Sequence, residues 1–122
     1  MGEFEEKSVI VTGSAYGIGQ STALEFAREG ANVTIADVDE VAGQNVVSEI
    51  EKVGSSGLFV LADVSDSAQC DEVVSKVVGK FDSVDVLVNN VGIQPKDSYR
   101  NVEDTPESLW DRIIDVNLKS CF

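Results

Sequence analysis

Four short runs rich in β-branched residues, each followed by a segment with helical spacing, constrain the fold of this chain more than any other feature. Residues 8–12 (SVIVT), 32–36 (NVTIA), 58–62 (LFVLA) and 84–88 (VDVLV) read as buried strands, because each run is short, apolar and bounded by polar or turn residues. Residues 18–28 read as a helix, with Gly30 as a C-cap just past its end. Asp39 is placed to cap a helix over 41–53, whose Ala42, Val46, Ile50 and Val53 share one face, and Gly54 stops it. Cys70, Val73, Val74, Val77, Val78 and Phe81 follow helical spacing, with Ser65 or Asp66 as the cap. After a polar loop over 92–103, Thr105 as N-cap, Pro106 at the first helical position and Glu107 in the first turn open a fourth helix. It runs through Trp110, Ile113, Ile114 and Leu118.

A β-α-β-α-β-α-β-α order implies an α/β fold with a parallel sheet and helices on both faces. Right-handed crossovers give strand order 3-2-1-4 when the fourth strand starts on the other side of the first, a Rossmann-type doubly wound sheet. The switch between strands one and four is where such a sheet binds ligands, at the strand carboxyl ends. A length of 122 residues suits one domain, and a 43% hydrophobic share is enough for a core.

Composition narrows the function classes. A net charge of −13 argues against a nucleic-acid backbone or an anionic membrane surface as partner. No apolar run approaches the roughly 20 residues that span a bilayer. The first six residues, MGEFEE, lack the basic and apolar regions of a signal peptide. With two cysteines, Cys70 and Cys121, and no histidine, no metal site, disulfide framework or histidine triad is expected, and the expected setting is reducing and cytoplasmic.

The chemistry sits between the first strand and helix, in Gly13-Ser14-Ala15-Tyr16-Gly17-Ile18-Gly19. Gly13 permits the tight turn, Gly17 lets backbone amides approach a pyrophosphate, and Gly19 allows close helix–strand packing. The helix N-terminus then offers free N–H groups to phosphates. Asp37 ends the second strand, where a carboxylate can accept hydrogen bonds from ribose hydroxyls and would repel a 2′-phosphate. No Lys or Arg adjoins it, which favours NAD over NADP. A plain turn at the glycines and a turn or capping role for Asp37 remain the alternatives.

TGSAYGIG at 12–19, Asp63-Val64 after the third strand, Asn89-Asn90-Val91-Gly92 after the fourth, and Asn117 in the fourth helix together resemble the short-chain dehydrogenase/reductase family. So does the stretch from Thr105-Pro106-Glu107 through Trp110-Asp111 to Asp115-Val116-Asn117-Leu118. The resemblance implies that Ser14, Tyr16 and Ile18 line the phosphate site with the three glycines, and that Asp37 takes the adenosine ribose. Asp63 would bond the adenine amino group, with Val64 contributing its backbone. Asn89 would stabilise the central sheet, while Asn90 and Gly92 pass close to the cofactor. Val91 stands where the family usually has Ala, and its added methyls are expected to tighten that loop. Asn117 resembles the family's catalytic asparagine, which interrupts the helix and holds a water in the proton relay. Helix-capping for Asp63 and a plain helical position for Asn117 are the alternatives.

The implied activity is hydride transfer between nicotinamide and an alcohol or carbonyl carbon of a small-molecule alcohol or ketone. It needs a tyrosine acid/base, a lysine four residues later and a serine. Tyr16 is followed four residues on by Gln20 and Tyr99 by Glu103, so no Tyr-x-x-x-Lys occurs. The expectation is therefore one NAD(P)-binding domain over 1–122, incomplete after the fourth strand and helix and inactive by itself. Two readings follow: the N-terminal part of an NAD-dependent oxidoreductase, or a non-catalytic dinucleotide-binding or interaction module. An unpaired fourth strand and an exposed patch of Leu109, Trp110, Ile113 and Ile114 lead us to expect self-association through the fourth helix.

Overall fold

A computed structural model describes residues 2–122. In chain order it comprises β1 (Ser8–Thr12), α1 (Gly17–Arg28), β2 (Asn32–Asp37), α2 (Glu40–Lys52), β3 (Gly57–Leu61), α3 (Ser67–Phe81), β4 (Val86–Val88) and α4 (Glu107–Asn117). Short 3-10 turns occupy Lys96–Ser98, Val102–Asp104 and Lys119–Cys121. The four strands form one parallel sheet in the order β3-β2-β1-β4, as the alternation predicts.

Alternate residues of the central strands feed two separate cores, the expected result of a two-residue side-chain period. Val9, Val11, Val33 and Ile35 pack with Ala23 and Ala27 of α1 and with Val46, Val47 and Ile50 of α2. Ile10, Ala36 and Val60 point the other way, against Val73 and Val77 of α3. Helices therefore cover both faces, the doubly wound arrangement. Asp39 caps α2 by accepting from Ala42 N at 3.0 Å, and Asp66 caps α3 by accepting from Ala68 N at 3.0 Å.

Three local expectations are corrected. β4 is three residues long, not five, because only Val86, Leu87 and Val88 pair with β1. Asp85, just before it, makes a reciprocal contact instead: its Oδ2 accepts from Ser8 N at 2.8 Å and its own N–H donates to Ser8 O at 2.9 Å. The α4 cap falls one residue later than the Thr-Pro-Glu punctuation suggests. Pro106 holds the cap position with an extended ψ of 143°, and the Thr105 hydroxyl donates back to Asn101 O at 3.0 Å. Leu109 does not join an exposed patch: it is buried where α4 meets Ile93 and Pro95. Trp110, by contrast, is exposed.

Candidate cofactor site

The carboxyl ends of β1, β2, β3 and β4 open onto one crevice of about 650 Å³. Gly13 and Asn90, Asp37 and Val38, Asp63 and Val64, and residues of α4 all line it. Six of the residues singled out from sequence thus meet there: Gly13, Asp37, Asp63, Val64, Asn90 and Gly92.

The glycine turn is shaped by two different constraints. Gly17 has a φ of +58° and nothing within 4 Å of where a Cβ would stand, so the backbone there faces open space. At Gly19 a Cβ would come to rest 2.4 Å from Gly13 O and 2.5 Å from Asn90 Nδ2, so the helix can approach the strand end only without a side chain. No side chain caps α1 and no acid lies in its first turn, whereas α2 and α3 are both capped by aspartates. The free amides of that turn suit an anion. Ser14 is fully buried and its hydroxyl donates to Val11 O at 2.6 Å, so it braces the turn from inside. Ile18 is exposed.

Asp37 is held at both oxygens. Oδ2 accepts from Ala15 N at 3.0 Å and Oδ1 from Asp39 N at 3.0 Å, which fixes the carboxylate against the glycine turn. Beside it, the Tyr16 hydroxyl donates to Asp39 Oδ2. That bond raises the phenol above its ordinary pKa and, with the Ala42 amide, lowers Asp39. Across the crevice, Asp63 Oδ1 accepts from Ser65 N and Ser65 Oγ at 3.0 and 2.7 Å.

The sheet-bracing asparagine is Asn90. Its Nδ2 donates to Thr12 O at 3.2 Å and Gly13 O at 3.0 Å, and its N–H donates to Thr12 Oγ1 at 3.1 Å. Val91 sits against the turn as the sequence suggests, its Cγ2 3.0 Å from the position of a Gly13 Cβ. Asn117 ends α4 and grips one peptide: Oδ1 accepts from Ile93 N at 2.7 Å and Nδ2 donates to Ile93 O at 2.9 Å. It thereby ties α4 to the loop that follows Gly92. Sequence reasoning missed Val38, Ile93 and the α4 wall (Ser108, Asp111, Arg112, Asp115, Val116), because nothing in the local pattern says which helix face turns to the crevice.

The family model for short chain dehydrogenases matches residues 7–122. The chain belongs to the short chain dehydrogenase family. It is 40% identical over 119 residues to an uncharacterized oxidoreductase of Thermotoga maritima, covering 98% of this chain and 45% of that protein. It is 38% identical over 122 residues to a 3beta-hydroxysteroid dehydrogenase of Mediterraneibacter gnavus, covering all of this chain and 44% of that one. The crystal structure of NADH-dependent reductase A1-R′ complexed with NAD superposes with a TM-score of 0.88 at 34% identity, covering 98% of this chain and 49% of that chain. This short chain dehydrogenase sequence therefore spans a little under half the length of the relatives it matches. Among the described residues no helix is long and apolar enough to cross a membrane.

Proposed function

We propose that these 122 residues are the cofactor-binding part of an NAD-dependent oxidoreductase that moves hydride between nicotinamide and an alcohol or carbonyl carbon. The observation that carries this reading is the immobilised Asp37 carboxylate at the end of β2, beside the uncapped glycine turn that follows β1. The open space over Gly17 fits a diphosphate approached by main-chain amides, with Gly13, Ser14, Tyr16, Ile18 and Gly19 shaping that turn. Asp37 would take the adenosine ribose, Asp63 and Val64 the adenine, and Asn90 and Gly92 the crevice floor. Asp37 with Asp39 two residues on makes the ribose end doubly acidic, which favours NAD over NADP. The bound dinucleotide supplies the hydride chemistry. Asn117 holds the Ile93 peptide and would position a water for proton transfer.

No Tyr-x-x-x-Lys occurs in these residues, so the chain by itself is proposed to bind cofactor without turnover. The same absence supports the second reading, a dinucleotide-binding module. Either reading is compatible with a cytoplasmic setting and with self-association through α4, whose Trp110 is exposed. Calorimetric titration of the purified chain with NAD, NADP and ADP-ribose tests the proposal. NAD and ADP-ribose should bind alike and more tightly than NADP, and Asp37→Ala should weaken both by about 1–3 kcal/mol. Unchanged affinity in Asp37→Ala would remove the ribose role. Production of NADH from secondary alcohols by this chain would overturn the proposed lack of turnover.

A further inference from the structure

The crevice is strongly acidic. Asp37, Asp63, Asp111 and Asp115 line it, and Arg112 is its only cation among the described residues. Arg112 is also unpaired. Its flanking acids do not hold it, since the ion pairs among the described residues are Arg28–Glu25 and Lys76–Glu72. A guanidinium next to two carboxylate side chains on its own helix, yet bonded to neither, has its planar face and its donors free for something else.

Its place in the fold narrows what that is. Ser108, Arg112 and Val116 recur every four residues, so they form one stripe of α4, and all three line the crevice. Asp63, Val64 and Ser65, which follow β3, line the same crevice. Tyr16, Gly17 and Ile18 do not line this cavity, so the part of the crevice that Arg112 shares with Asp63 and Val64 excludes the N-terminus of α1. On the reading proposed above, that part receives the flat purine base.

We infer that Arg112 closes the adenine pocket from the α4 side, stacking its guanidinium on the purine face while Val116, one turn on, gives the ring an apolar contact. The inference rests on the NAD-binding reading and extends it to a residue of α4. Arginine suits the task better than lysine because its charge is spread over a plane that matches an aromatic ring. The stack also places a positive charge where a cofactor carrying a diphosphate must enter past four carboxylates.

The test titrates the wild-type chain, Arg112→Ala and Arg112→Lys with NAD, AMP and nicotinamide mononucleotide. Arg112 is exposed, so thermal melts of the variants should match the wild type and report directly if they do not. Arg112→Ala should weaken NAD and AMP equally, by about three- to thirtyfold, and leave nicotinamide mononucleotide unchanged. Arg112→Lys should recover less than half of that loss on a logarithmic scale. Unchanged AMP affinity in Arg112→Ala overturns the inference while leaving the NAD reading intact. Full recovery in Arg112→Lys overturns the stacking and leaves only charge. A wild-type chain that binds neither NAD nor AMP overturns the functional reading and this inference with it.

Discussion

Val9-Ile10-Val11 and Val86-Leu87-Val88 lie side by side in register, nearly identical in hydrophobicity, and meet opposite fates. Ile10 is 2% exposed and its partner Leu87 is 53% exposed. β1 pairs on both edges and is covered on both faces, by α1 on one side and by Val73 and Val77 of α3 on the other. β4 pairs on one edge only, and Leu87 lies on a groove bordered by α3 and the Lys119–Cys121 turn that no helix fills. The difference teaches that burial of a strand is a property of its neighbours. The β1–β2 half holds most of the buried core; β4 adds Val86 and Val88 to it, and hydrogen bonds from Asp85 to Ser8, Asn90 to Thr12 and Gly13, and Asn117 to Ile93 tie the β4–α4 half in place.

The sharpest way to break that contrast is at the joint between the halves. Gly19→Ala pushes a methyl into Gly13 O and Asn90 Nδ2, so it should destabilise by about 3 kcal/mol or more in urea unfolding. A loss under about 1 kcal/mol would mean the turn relaxes freely. Next in size is a matched pair of truncations. Ile35→Ala on β2, fully buried, should cost about 2–5 kcal/mol, whereas Leu87→Ala on β4 should cost under about 1 kcal/mol because much of that side chain already meets water. Equal losses would show that β4 is covered in solution. The smallest effect concerns acid. The Ser8 amide, with help from Ser83 and Lys7, holds Asp85 below the ordinary carboxylate pKa. The stability it contributes is therefore full above pH near 4 and lost as pH falls through the lowered value. Asp85→Asn should flatten that part of the acid-unfolding curve slightly, and an identical curve would remove the Asp85–Ser8 contact from the account.

Much of the framework was legible without coordinates because it depends on local rules. Gly17 and Gly19 are readable because one adopts a positive φ, which glycine does at least cost, and the other admits a close contact that any Cβ would block. Asp39 and Asp66 are readable as caps because the cap lies within three residues of its partner. The same logic failed at Thr105, where the hydroxyl turns to the preceding 3-10 turn and leaves the cap position to Pro106. Asn89 and Asn90 are equivalent in sequence. Which of them braces the sheet depends on which side chain the end of β4 directs toward Thr12 and Gly13.

By itself the sequence determined the strand–helix alternation, the strand order, the glycine turn and the acid at the end of β2, since each follows from periodicity, sterics or a short-range bond. Tertiary structure alone decided that Asp85 staples β4 to β1 and that Arg112 lines the crevice. Those outcomes join residues far apart in the chain or depend on how a helix is rotated. Neither quantity exists until the elements have packed.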